Sequence, residues 1–179
     1  MSTGPAMITD FLEEFTRYML TGEKALAQIP ELALERILAP GTNSIAMLVG
    51  HVSGNLRSRF TDFLTSDGEK PWRDRDVEFE PRRCSRAELM TLWEAGWSVA
   101  LASIASLTDA DLEREVTIRG RTLTVHAALV RSVAHTATHV GQIVLLARLL
   151  AYREWVSLSI PKSASKQYNL DPTREKRPT

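Results

Sequence analysis

Apolar residues recur at steps of three, four and seven along four long stretches of this chain, and the prolines fall between those stretches. That period belongs to helices with one face turned to a core, whereas a half-buried strand would alternate every second residue. The first stretch runs from about Ala6 to Gln28 and places Ile8, Phe11, Leu12, Phe15, Met19 and Leu26 on one side. Pro30 closes it, and Glu31 to Leu38 leaves room for a short turn before Pro40-Gly41. The second opens at Asn43 or Ser44, either of which can cap a helix. It carries Ile45, Val49, Val52, Leu56, Phe60 and Phe63 toward an end near Ser66-Asp67-Gly68. Ser85-Arg86-Ala87-Glu88 has the spacing of a capping box and opens a third helix through Leu89, Trp93, Trp97, Ala100 and Ile104. Thr124 can cap the fourth, which runs to about Tyr152 through Val125, Leu129, Val133, Val140, Ile143, Ala147 and Leu150.

The connections are unequal. Asp67 to Arg83 is a long polar loop holding Pro71, Pro81 and a lone Trp72, long enough to cross an end of a helical bundle. Thr108 to Asp111 reads as a short capped turn, and Glu115 to Thr124 alternates around Arg119-Gly120 as a small hairpin. These features predict an all-α four-helix bundle with a small hairpin before the last long helix. At 179 residues the chain has the size of one domain, read here as residues 1–170 followed by a charged tail at 171–179.

Composition removes several partners. Twenty-two Lys and Arg balance twenty-two Asp and Glu, so the chain lacks the basic excess that nucleic-acid binding requires. The local cluster Arg82, Arg83 and Arg86 is offset by the acidic stretch Glu78–Glu80. The run Ile143 to Ala151 is broken by Arg148 and is shorter than the ~20 residues that span a bilayer. Met1 to Pro5 has neither a basic nor an apolar leader region, so a cytoplasmic protein is expected. A single cysteine, Cys84, excludes an internal disulfide and a multi-cysteine zinc site. Metal chemistry, if present, falls to the four histidines.

His135-Thr136-Ala137-Thr138-His139 puts two imidazoles one turn apart on the same helical face. Two such rings can chelate one metal ion, although the spacing alone fits two uncoordinated histidines equally well. No Glu lies between them, so the general base of a helical zinc protease is missing. Both lie beside the apolar stripe of Val140 and Ile143, where uncoordinated rings would need hydrogen-bond partners. On the second helix Ser44, Leu48, His51, Asn55, Arg59 and Asp62 form a stripe beside the apolar one, expected to be its wet face. His51 would supply a third ligand if that stripe faces the fourth helix. Three protein nitrogens with one open position is the catalytic pattern, and four protein ligands the structural one. His126 stands nine residues before His135, on the other side of the helix, and reads as a packing residue.

The segment Gly50-His51-Val52-Ser53-Gly54-Asn55-Leu56, with His135-x-x-x-His139-Val140-Gly141-Gln142-Ile143, resembles the DinB-like family of metal-dependent proteins. Asn55 to Phe60, Asp67 to Arg73, Arg75-Asp76, Trp155 and Leu158 to Pro161 extend the resemblance to one bacterial branch of that family. It spans about residues 7 to 169. The resemblance implies an up-down-down-up four-helix bundle, often a homodimer, holding a divalent metal, nickel or zinc, on His51, His135 and His139. Relatives in that family include S-transferases and isomerases that use low-molecular-weight thiols. There a metal lowers the thiol pKa so that the reactive anion exists at neutral pH.

Several neighbours have a chemical and a plain reading. Asn55 and Arg59 stand one and two turns beyond His51, where Asn55 would hold a ligand and Arg59 an anionic group. Alternatively they form a solvated face, with Arg59 paired to Asp62 or a glutamate. Gln142 would orient a water or substrate, or simply join two helices. Asp67, Glu69 and Trp72 sit where a lid over the metal mouth would lie, or in a loop packed by Trp72. Trp93 and Trp97 are expected in the core. Cys84 is distant from every histidine in sequence and is expected to be a bystander, so any thiol nucleophile would come from a cosubstrate. Three functions follow: a metal-dependent transferase acting on a small molecule, a non-catalytic metal-stabilised dimeric bundle in stress response, or a water-activating hydrolase. The last needs a base near the metal, which Asp62, Asp67 or Glu69 could supply only if the loop folds back.

Overall fold

The computed structural model describes residues 7–173. Its long elements follow the apolar spacing: α1 (Met7–Leu26), α2 (Ile45–Phe60), α3 (Arg86–Ala105) and α4 (Val125–Leu150), with β1 (Glu115–Ile118) and β2 (Arg121–Thr124) before α4. A single turn, α5 (Ser165–Tyr168), lies beyond the expected elements. Residues 174–179 of the expected tail and the leader region at residues 1–5 lie outside the described residues.

The caps fall where side-chain chemistry places them. Ser44, rather than Asn43, accepts the Met47 N–H at 3.2 Å. Ser85 and Glu88 form the reciprocal box at the start of α3. Thr124 accepts the Ala127 N–H at 3.1 Å and so ends the hairpin and starts α4 in one residue. The last carbonyl of α1 and one just beyond it are engaged by Arg86, whose guanidinium reaches Leu26 O at 2.8 Å and Ile29 O at 2.6 Å. One member of the basic cluster is thereby spent on structure.

α2 stops earlier than its apolar spacing suggests. Thr61 is already extended, with ψ of 126°, and Asp62 follows with a left-handed φ of 49°, so the chain has left the helical path before Phe63. Phe63 nevertheless reaches the core, and its ring packs on Phe60 at 5.2 Å.

Each of α1 and α4 packs on the other, α2 packs on α3, and α1·α3 and α2·α4 contacts complete the set. Trp93 and Trp97 are fully buried at the centre, as their spacing indicates. Gly96 lets α3 approach α2: a Cβ there would stand 2.7 Å from Ser53 Cα. Ser53 Oγ donates to Leu92 O at 2.6 Å across the same contact. The first turns of α2 and α3 both lie near the segment after α1, through Ala46 N to Leu34 O and Arg86 N to Glu31 Oε2. Among the described residues, no helix is long and apolar enough to cross a membrane.

The expected hairpin is present, closed by Arg119 and Gly120 at φ of 55° and 70°. Two successive left-handed residues give the turn whose twist matches a two-stranded ribbon. Asp67, at the start of the long loop, accepts the Arg119 N–H at 2.8 Å and the Gly120 N–H at 2.7 Å, holding that turn in place.

The long loop does not simply cross one end of the helices. It turns back along α2 and lays the 3-10 turn Val77–Phe79 against it. The stripe expected to be wet is therefore covered: His51 is 3% exposed, Asn55 8% and Arg59 7%.

Candidate metal centre

Three histidines meet between α2 and α4. One ring nitrogen from each of His51, His135 and His139 lies within 4.8 Å of the others. His51 Nε2 and His135 Nε2 are 3.2 Å apart. The facing arrangement that the sequence required of α2 and α4 is thus present, and His126 is elsewhere, edge-on to Phe11.

Each end of the trio is oriented by a partner. His51 Nδ1 lies 2.8 Å from Glu78 Oε2. A carboxylate only accepts, so Nδ1 carries a proton and, in the neutral ring, Nε2 presents its lone pair to the other histidines. His139 Nδ1 lies 2.9 Å from Gln142 Oε1. Gln142 thus engages a histidine on its own helix instead of joining two helices. The Phe79 ring rests on His51 with centroids 4.6 Å apart.

Glu78 is itself fixed. Arg73 donates to it twice, from Nε to Oε1 and from Nη2 to Oε2, each at 2.8 Å. The Arg73 side chain is 2% exposed. Burial pulls the Glu78 carboxyl upward, but hydrogen bonds from Arg73 and His51 and the Arg73 charge outweigh it and hold the carboxyl below its usual range. The α2 backbone makes room for the loop: a Cβ on Gly54 would collide with Glu78 Oε1, and one on Gly50 would stand 2.7 Å from Arg82 Nη1.

Two of the three histidines are held neutral. His135 falls to about 3, chiefly by burial, with the neighbouring His139, His51, Arg73 and Arg59 adding to the effect. Burial likewise lowers His139, partly offset by its bond to Gln142. Neutral imidazole is the state that binds a metal. Two nitrogens at the 2.0–2.1 Å of a tetrahedral zinc site stand about 3.3 Å apart, close to the 3.2 Å between His51 and His135. The donor set and its spacing fit a divalent cation.

A cavity of about 340 Å³ opens beside the trio, with Asn55, Arg59, Arg73, Arg75, Arg119 and Arg131 on its wall. Asn55 and Arg59 therefore face the same space as the histidines. Arg59 donates to Gly68 O and approaches Glu69 Oε2 at 3.3 Å, so it meets a glutamate but not Asp62. Burial lowers its pKa, partly countered by Glu69.

Asp67, Glu69 and Trp72 are not on the cavity wall. Asp67 binds the hairpin turn, Glu69 joins Arg59 to Arg119 at 2.7 Å, and Trp72 is half exposed beneath Arg57. The part of the loop that reaches the site is the later part, Arg73 to Phe79, whose Arg73, Arg75 and Glu78 the sequence marks only as part of the family resemblance and of an acidic stretch, not as site residues. Its signal lay in α2: two glycines four apart inside a helix cost about 1 kcal/mol each against alanine and imply a close approach on that face. Cys84 lies off the cavity, and burial raises its thiol pKa, so it is no activated nucleophile.

No curated protein matches the chain significantly. A family model described as a protein of unknown function, DUF1572, matches residues 2–164. With that match spanning most of its length, the chain belongs to the DUF1572 family.

Proposed function

We propose that this protein is a metal-dependent enzyme acting on a small molecule, built as an up-down-down-up four-helix bundle of the DinB-like kind. His51, His135 and His139 would hold a divalent ion, zinc or nickel, and leave a position open toward the cavity. The observation that carries this reading is the trio itself: three imidazoles converge, and two of them have their outer nitrogens engaged by Glu78 and Gln142. Partners of this kind fix ring orientation in metal sites. Among the described residues, His51, His135 and His139 form the one group of three or more metal-binding side chains, which favours an open site over a closed structural one.

A divalent ion on these nitrogens would lower the pKa of a thiol or water brought to it. The chain's own residues favour a thiol cosubstrate over water activation. A hydrolase needs a base poised near neutrality, and the cavity wall carries no Asp or Glu. Glu78, the nearest carboxylate, is committed to His51 and Arg73 and held below its usual range. Asp62, Asp67 and Glu69 are off the wall. Transfer of a thiol from a cosubstrate to a small electrophile is the reaction class that fits.

Metal analysis of the purified protein tests the centre, with roughly one divalent ion per chain expected and its loss expected in His139→Ala. Absence of stoichiometric metal in the wild type would overturn the reading. Screening small electrophiles with and without low-molecular-weight thiols then separates the two chemistries: thiol-dependent consumption is expected, and thiol-independent hydrolysis would refute the transferase.

A further inference from the structure

Five arginines from four separate elements converge on the cavity: Arg59 from α2, Arg73 and Arg75 from the long loop, Arg119 from the hairpin turn and Arg131 from α4. Such convergence is costly, because like charges repel and a buried guanidinium loses hydration. The structure compensates part of it. Glu78 takes two of Arg73's donors, and Glu69 lies between Arg59 and Arg119. These two carboxylates reach three of the five guanidiniums, and neither is on the wall.

The compensation stops at identifiable atoms. Arg73 Nη1 is buried and has no acceptor. A buried donor left open in this way is a cost that a missing partner explains. Arg131 has no acceptor among the described residues, and Arg75 has only a long approach to Asp76 at 3.7 Å and the face of Phe79 at 4.9 Å. Phe79 and Ile118 add an apolar surface to the same wall. A volume of about 340 Å³ is at the small end of small-molecule sites, and the balanced charge of the whole chain argues against a polymeric partner.

We propose that the cavity binds a small organic anion, its carboxylate or phosphate group seated on Arg73, Arg75 and Arg131 and its short apolar part on Phe79 and Ile118. The identification of the anion's reacting end, toward the histidines, rests on the metal-centre reading above. The arginines themselves do not. Planar guanidinium forks suit both oxyanions, since each accepts two parallel N–H bonds.

Calorimetric titration of the whole protein distinguishes these readings, using inorganic phosphate, succinate and uncharged succinamide at fixed ionic strength. Each is titrated into metal-loaded protein, chelator-treated protein, and the variants Arg131→Gln and Arg75→Gln, which alter exposed side chains and should fold normally. Phosphate or succinate is expected to bind saturably, which also identifies the favoured oxyanion, while succinamide does not. Each substitution should weaken binding about tenfold and leave metal content unchanged. The inference is overturned if neither anion saturates, if succinamide binds equally well, or if the two variants bind as tightly as the wild type. Anion binding that depends on the arginines in a protein that takes up no metal would leave this inference standing and remove the metal reading. Stoichiometric metal without anion binding would do the reverse.

Discussion

Gly54→Ala isolates the device that orients His51. Alanine is the better helix former, so on helix propensity alone the change should stabilise α2 by about 1 kcal/mol. In this structure the new Cβ would occupy the position of Glu78 Oε1. That carboxylate cannot step aside freely, because His51 holds it on one side and Arg73 on the other, all at 2.8 Å. Displacing it breaks a buried pair and leaves the 2%-exposed Arg73 side chain unpaired. Breaking such pairs costs about 3–5 kcal/mol. After the helical gain, the expected net loss is about 2–4 kcal/mol. For a chain of this size that lowers Tm by about 5–15 °C. Loss of the partner that orients a ligand weakens metal affinity by about 10–100-fold. The assay is a double-mutant cycle: thermal unfolding and metal titration of the wild type, Gly54→Ala, Glu78→Ala and the double variant. With Glu78 removed, Gly54→Ala should become stabilising. If Gly54→Ala is neutral or stabilising in the presence of Glu78 and leaves metal affinity intact, then Glu78 does not orient His51.

Four further outcomes follow from the same structure. Because His135 falls to about 3 and His139 is also lowered, protons compete weakly for these two rings, so metal should be retained from about pH 7 to about pH 5.5 in a chelator-competition assay. In the metal-free chain the unfolded state takes up a proton that folded His135 refuses, so stability should fall as pH drops from 6.5 toward about 3, measured by urea unfolding. Asp67→Ala removes the acceptor for the Arg119, Gly120 and Glu69 N–H groups and should cost about 1–2 kcal/mol after solvent screening. Since those bonds lower Asp67 to about 2, its contribution is full above 3.8 and disappears as pH falls toward 2, and the variant's acid-unfolding curve should lack that step. Gly96→Ala should destabilise by about 1–3 kcal/mol despite its better helix propensity, because the Cβ meets the Ser53 backbone, which has no alternative rotamer to adopt; an unchanged urea midpoint would refute that packing.

Local signals carried most of the helices into the sequence reading. Ser44, Ser85 and Thr124 act within three residues of themselves, so their caps are visible without a fold. His135 and His139 share a face by helical period alone, and His51 lies on the stripe that faces them. Glu78 was invisible for a different reason. It sits 27 residues from His51 in a segment with no period, and its position depends on the path of the loop. Predicting His51, Asn55 and Arg59 as a wet face failed on the same point, since helical period says which residues share a side but not what covers it. The end of α2 falls earlier than the spacing suggests because Phe63 continues the apolar pattern after Thr61 and Asp62 have already left helical geometry.

The loop from Asp67 to Glu78 is tied at both ends, by Asp67 to the hairpin turn and by Glu78 to His51. Surface loops usually accept inserted or deleted residues at little cost, because their ends are the only constraint on their length. Here the two anchors fix the number of residues between them. One residue more or fewer would shift Arg73 and Arg75 out of phase with Glu78, even with every side chain retained. Among relatives that share this site, variation in chain length should therefore fall after Glu78 and before Ser85, and the spacing between the two anchors should stay constant.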